Sequence, residues 1–133
     1  MRPVGGNFID TNVLVYLASA DPDKAARAEE IVAGGGTISV QVLNELANVA
    51  RRKMLLSWDE TNELLATLRR LVAVVPVTLE THERGLHMAE RFRISVYDAM
   101  IVAAAAIAGS DVLWTEDLQD GAVLDGVRVS HAA

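Results

Sequence analysis

Apolar positions along the chain fall into two alternating patterns: short β-branched runs, and longer stretches with helical spacing. Asn7-Phe8-Ile9 is a brief apolar run that stops at Asp10-Thr11-Asn12, the pattern of a buried strand ending where polar groups emerge. Val13 to Ala18 continues as a helical turn. Asp21-Pro22 is a helix start, with Asp as N-cap and Pro at the first helical position, and the segment runs through Ala25, Ala28, Ile31 and Val32 to a triple glycine that ends it. Thr37 to Val40 reads as a strand feeding a helix whose apolar positions are Val42, Leu43, Leu46, Ala47, Val49 and Ala50. Ser57-Trp58-Asp59-Glu60 matches the capping-box pattern ahead of a stripe of Leu64, Leu65, Leu68 and Leu71. Val72 to Val77 is a further strand, followed by a helix from Leu79 to about Phe92. Ser95 opens an apolar helix that ends at Gly109. Asp111 to Trp114 and Gly126 to Ser130 are the last strands, and His131-Ala132-Ala133 reads as a loose end.

Four or five short strands alternating with helices predict an α/β chain, a single-domain α/β/α sandwich around a short parallel sheet spanning residues 1–133. Composition agrees: 133 residues that are 51% hydrophobic support one packed core and exclude intrinsic disorder. The longest uninterrupted apolar run, Ala99 to Ala108, has 10 residues. Roughly 18 are needed for a membrane span, so it reads as a buried helix. The first residues offer neither the apolar core nor the cleavage site of a signal peptide, and a cytoplasmic location is expected. The absence of cysteine removes disulfides, thiolate metal sites and thiol nucleophiles, leaving oxygen or imidazole for any metal.

In an open parallel sheet, ligands bind beyond the carboxyl ends of the strands. Four acids meet that placement: Asp10 after the first strand, Glu45 past the second, Asp98 in the first turn of the most apolar helix, and Asp117 after the strand ending at Trp114. Separations of 35, 53 and 19 residues mean that only the fold brings them together. Converging carboxylates raise one another's pKa unless a cation intervenes, and all-oxygen ligation selects Mg²⁺ or Mn²⁺. Each acid also has a structural reading. Asp98 can serve the Ser95 cap, Asp117 a polar turn and Glu45 a solvated helix face, whereas Asp10 has little surface nearby for an idle charge.

Phe8-Ile9-Asp10-Thr11-Asn12-Val13-Leu14, Val42-Leu43-Asn44-Glu45-Leu46, Tyr97-Asp98-Ala99-Met100-Ile101-Val102-Ala103-Ala104-Ala105 and Trp114-Thr115-Glu116-Asp117-Leu118-Gln119-Asp120-Gly121 together resemble the PIN domain family. More narrowly, they resemble the VapC-type toxins of bacterial toxin-antitoxin pairs. The resemblance implies a four- or five-stranded parallel sheet between helices, a Mg²⁺- or Mn²⁺-dependent ribonuclease leaving a 5′-phosphate, and an antitoxin partner that blocks the site. It carries the family's acidic quartet onto Asp10, Glu45, Asp98 and Asp117, with Asn12 and Thr115 as the supporting polar positions. Asp10, Asp98 and Asp117 are then metal ligands, and Glu45 a ligand or the acceptor of the attacking water's proton. Glu116 and Asp120 lie close enough to Asp117 in sequence to share or replace its role.

Charge raises an objection: 18 acidic residues against 12 basic give a net charge of −6, unlike the basic surface of most nucleic-acid binders. Removing the quartet leaves 14 against 12, nearly balanced. Arg51, Arg52 and Lys53 at a helix end, and Arg91 with Arg93, are compact enough to meet a phosphate backbone, although the first three also complement a helix C-terminus. Phe8, Tyr16 and Trp114 read as buried, and His82 and His87 as surface residues. The stretches Val40 to Ala50 and Leu64 to Leu71 carry more apolar residues than a small domain buries, which fits an antitoxin groove or a homodimer. Two other classes compete. A haloacid-dehalogenase-type phosphatase also places an Asp after its first strand, but Asn12 stands where its second Asp belongs, and Lys24 and Lys53 are the sole lysines. A non-catalytic binding module gains no support while all four acids are present.

Overall fold

The computed structural model describes residues 6–133, so the N-terminal stretch read above for a signal peptide falls largely outside the described residues. The first strand, β1 (Asn7–Ile9), passes through Asp10 directly into α1 (Thr11–Val15) and a 3-10 turn at Tyr16–Ala18. Helix α2 (Pro22–Ala33) starts as expected, with the Asp21 carboxylate accepting from the N–H groups of Asp23 and Lys24. Its end lies in the glycine run, where Gly35 takes φ +80. The third glycine has a different reason: a Cβ on Gly36 would stand 3.1 Å from the Asn7 carbonyl oxygen and 3.2 Å from Ile9 Cδ1, so it permits close approach to β1.

Strand β2 (Thr37–Ser39) leads into α3 (Val40–Arg52), then α4 (Trp58–Leu71) and β3 (Ala73–Val75). Both strands are shorter than their β-branched runs. Ser39 becomes the N-cap of α3, taking Val40 into the helix, and Pro76, which has no N–H, follows the last residue of β3. Helix α4 carries the expected capping box, in which Ser57 and Glu60 satisfy each other's backbone N–H groups. Leu71 does not join its buried stripe and is 56% exposed.

Helices α5 (Leu79–Phe92) and α6 (Val96–Ile107) form an antiparallel hairpin, its turn made by Arg93 in the left-handed region. Their close approach depends on Gly85, where a Cβ would stand 2.5 Å from Met100 Sδ. Strand β4 (Val112–Trp114) follows, and the chain closes with β5 (Val123–Leu124) and β6 (Val127–Ser130).

The sheet has six strands in the order β3-β2-β1-β4-β6-β5, parallel except for the β5–β6 pair. The expectation of four or five strands, all parallel, is corrected here. Strand β5 is a two-residue edge joined to β6 by Asp125-Gly126, both at positive φ, the two-residue hairpin that an Asp-Gly pair favours. The C-terminal residues are not loose. His131 N–H donates to Asp120 (2.9 Å), its ring meets the Leu118 carbonyl (2.7 Å), and Ala132 is buried.

From β1 the chain moves outward to β2 and β3, then returns past β1 to β4. Right-handed crossovers in these opposite directions put the intervening helices on opposite faces. The order reverses between β1 and β4, and the crevice at their carboxyl ends is where such a sheet binds ligands. The core joins Phe8, Ile9, Ile38, Leu46, Val102 and Leu113 across the layers, all at most 1% exposed.

Replacing Gly85 with Val is expected to destabilise the fold by roughly 1–3 kcal/mol through overpacking against Met100. Met100→Ala should cost less in that variant than in the parent. Urea denaturation of the four chains of the cycle measures the coupling, and additive effects would refute the contact.

Candidate active site

Asp10 is the residue after β1 and the N-cap of α1. Its backbone N–H donates to the Trp114 carbonyl at 2.9 Å, so the chain is still tied to β4 where it turns into helix. Its carboxylate is 6% exposed, with Oδ1 accepting from Thr11 N–H (2.7 Å) and Oδ2 from the Thr115 hydroxyl (2.8 Å). Burial pushes this carboxyl up from the ordinary 3.8 to about 6. The two hydrogen bonds oppose the shift, while the nearby charges of Glu45 and Asp117 reinforce it.

Thr115, the residue after β4, is the hub. Its hydroxyl donates to Asp10 and accepts from Asp117 N–H (3.2 Å) and, at a long 3.4 Å, from Asn12 Nδ2. The Asn12 Oδ1 accepts in turn from Glu116 N–H at 3.3 Å. Glu45 is oriented separately, with Thr11 Oγ1 donating to its Oε1 at 2.9 Å.

These residues open onto one pocket of about 320 Å³, lined by Asp10, Thr11, Asn12, Glu45, Lys53 and Asp117, with Val15 and Val49 as its apolar wall. Glu45 and Val49 on α3 and Lys53 at its C-cap succeed one another at intervals of four, so they share one helical face. The structure therefore brings Asp10, Glu45 and Asp117 together. Asp98 lies outside the pocket lining, half-buried in the first turn of α6, where its N–H donates to Ser95 Oγ at 3.0 Å. Its neighbour Tyr97 lines an adjoining groove that shares Glu45 with the pocket.

The other two acids of the last motif have different surroundings. Glu116 accepts from the backbone N–H groups of Ala132 and Ala133, and Asp120 from that of His131. Both tie down the C-terminus, and Asp117 is the member of the three that lines the pocket. The basic residues also separate. Arg51 donates to the Leu56 carbonyl (2.7 Å) and lies over the Trp58 ring at 4.3 Å, Arg52 is exposed, and Lys53 alone reaches the pocket. Arg91 lies over Phe92, and Arg93 forms the turn before α6, at the same end of the hairpin as Asp98. Tyr16 and Trp114 are half-buried, not buried, under Lys24 and Arg27 respectively.

Thr11 is a site residue that sequence reasoning missed. Its signal was a hydroxyl directly after the strand-end acid, read only as part of the turn. Among the described residues, no three acidic or imidazole side chains form a ready-made metal cage. The donor chemistry nevertheless suits a hard cation, since Mg²⁺ commonly takes one or two carboxylates and completes its shell with water. Asp10 offers free lone pairs on both oxygens beside two further carboxylates.

A family model described as PIN domain matches residues 8–119. Three solved structures share the fold. A toxin-antitoxin complex from Klebsiella pneumoniae superposes with a TM-score of 0.71 at 21% identity, covering 91% of this chain and 94% of that one. VapC20 of Mycobacterium tuberculosis, a sarcin-ricin-loop-cleaving toxin, gives 0.67 at 22% identity over 92% and 98%. DNA-bound VapBC from Salmonella typhimurium gives 0.68 at 20% identity over 97% and 99%. No curated protein matches the chain by sequence.

The raised Asp10 pKa fixes a pH dependence. The unfolded chain releases this proton near 3.8 and the folded protein near 6, so the folded state binds more protons between those values and stability falls as pH rises through that window. Without divalent cations, Asp10→Asn is expected to gain about 3 kcal/mol over the parent at pH 7.5 and close to nothing at pH 3.5. Denaturant unfolding in chelator at the two pH values checks this, and an equal difference at both would contradict it.

Proposed function

The chain belongs to the PIN domain family, and from that premise we propose that it is a Mg²⁺- or Mn²⁺-dependent endoribonuclease, the toxin of a toxin-antitoxin pair. The carrying observation is the buried Asp10 carboxylate at the carboxyl end of β1, facing Glu45 and Asp117 across a pocket at the sheet's topological switch point. A divalent cation at this site would supply charge neutralisation and a water acidic enough to attack a phosphodiester.

The chain's own groups supply the rest. Asp10 and Asp117 would hold the cation, and Asp98, outside the pocket lining in the first turn of α6, is proposed as a further ligand, direct or through water, on its sequence motif. Thr115 fixes the Asp10 carboxylate on one side and the Asp117 backbone on the other. Glu45, its Oε1 held by Thr11, keeps Oε2 free to take the proton of the attacking water or to bind the cation. Lys53 at the pocket rim meets the substrate phosphate, with Arg52, Arg91 and Arg93 as outlying contacts. Asn12 carries an amide, which has no proton to give, where a phosphatase of the competing class requires a carboxylic acid, and its side chain bonds Thr115 and the Glu116 backbone instead.

The toxin role and the antitoxin partner are drawn from the solved complexes of the same fold. Trp58, Leu55 and Leu71 on and beside α4 are exposed apolar side chains suited to a protein partner, either an antitoxin or a second copy. No helix among the described residues is long and apolar enough to cross a membrane, and an RNA substrate would be met in the cytoplasm.

Induction of the chain in a bacterial host, followed by sequencing of new RNA 5′ ends, is expected to show a few discrete cut sites that vanish with Asp98→Asn. In vitro, Asp117→Asn should lower Mn²⁺-dependent cleavage by 100-fold or more. Thr115→Val should lower it about 10- to 100-fold. Glu116→Gln and Asp120→Asn should lower the melting temperature and leave cleavage within a few fold. Identical RNA ends from the parent and the Asp98→Asn chain, both folded, would sink the reading.

A further inference from the structure

The geometry points to a nucleobase subsite beside the cutting pocket, in which a base flanking the scissile phosphate stacks on Tyr97 and is read by Gln41. This rests on the ribonuclease reading and adds to it the residues that select the sequence cut. A groove of about 360 Å³ is lined by Val40, Gln41, Asn44, Glu45, Val77 and Tyr97. Glu45 belongs to this groove and to the acidic pocket alike, so a strand whose phosphate lies at Asp10 continues past Glu45 into it.

Its walls suit a base rather than a phosphate. Tyr97 is 73% exposed, a large aromatic face left in solvent at the start of α6, and Val40 and Val77 are exposed with it. The lining carries no basic residue. A base has the complementary chemistry: an apolar ring face for stacking and a polar edge for an amide. Gln41 supplies the amide. Its Nε2 is closed off from solvent and donates to no acceptor among the described residues, so a turn of the amide about its last bond would bring it to a base in the groove and give it the acceptor it lacks. A ring nitrogen or exocyclic oxygen of a base is such an acceptor. Gln41 precedes Glu45 by four residues on α3, so the reading amide and the catalytic carboxylate share one helical face, which continues to Val49 and Lys53.

The test is cleavage of a randomised RNA pool in Mn²⁺, with cut positions and flanking bases read by sequencing for the parent, Gln41→Leu and Tyr97→Leu. The parent is expected to show a base preference at one nucleotide next to the cut. Both variants should flatten that same position about tenfold while other positions keep their bias. Gln41→Leu, which removes an unpaired buried donor, should melt no lower than the parent. A preference unchanged in both variants, or a uniform slowing without change of preference, overturns the subsite. So does a changed oligomeric mass in sedimentation with the preference intact, which would assign the groove to a protein interface.

If the parent shows no cleavage that Asp10→Asn abolishes, the ribonuclease reading fails on its own. Binding then decides the subsite. Fluorescence anisotropy should show the parent holding a short oligoadenylate about tenfold tighter than its abasic counterpart, with the contrast lost in Tyr97→Leu, and equal affinities would refute it.

Discussion

A hydroxyl on one strand end holds a carboxylate on the next, and the site follows from that bond. Thr115 closes β4 and Asp10 closes β1; the strands are hydrogen-bonded neighbours, and the Thr115 side chain donates to Asp10 across the gap where the ladder stops. Without it, a 6%-exposed carboxylate would keep a single backbone donor, and an underpaired buried charge is among the more costly features a small domain can carry. The same oxygen accepts from the Asp117 backbone, so one side chain sets the position of two acids from distant parts of the chain.

The topology explains why this bond forms at the switch point. Both neighbours of β1 run parallel to it, but the chain leaves toward β2 and returns to β4 by way of the opposite face, so no crossover covers the crevice at their carboxyl ends. Helix α3 reaches that crevice from the side, because Ser39 caps it at the end of β2 and its Glu45-Val49-Lys53 face turns toward α1. Thr11 then hands Glu45 its orientation from the first residue of α1. Consecutive residues of one turn, Asp10 and Thr11, thus supply an acid and the anchor of another acid.

Most of the element boundaries were legible because each rests on local chemistry: Asp21-Pro22, the Ser57 to Glu60 box and Ser95 all act as the caps their spacing predicts. Strand β5 was not, because two residues have no periodicity to read, although the Asp125-Gly126 turn that makes it was a signal in plain view. The acid near Trp114 was ambiguous for a physical reason. Glu116, Asp117 and Asp120 differ in what their side chains meet, and Glu116 and Asp120 meet the chain's own C-terminus, whose anchoring depends on tertiary structure. Asp98 is the converse case. Its motif is strong in sequence, yet the fold sets it beside the shared groove rather than in the pocket's lining. Lys53 was read with Arg51 and Arg52 as one basic cluster, but residues adjacent on a helix point in different directions, and Lys53 alone faces the acids.

Charge, the apparent objection to an RNA substrate, becomes intelligible at the scale of this pocket. Three carboxylates face one another with a single ammonium at the rim, and the most buried of them holds its proton up to about pH 6. That retained proton measures how unfavourable an unneutralised anion is here, and a divalent cation relieves the same cost more completely than a proton does. On the proposed reading, a phosphodiester would meet repulsion at the bare site, and a divalent cation together with Lys53 would offset the three carboxylates, so the acidity that disfavours broad electrostatic binding would make substrate engagement conditional on metal. Under that reading the remaining affinity would come from outside the acids: from Lys53 at the rim, and from neutral surface such as the Tyr97 groove, where a base could be held without any phosphate having to approach a carboxylate.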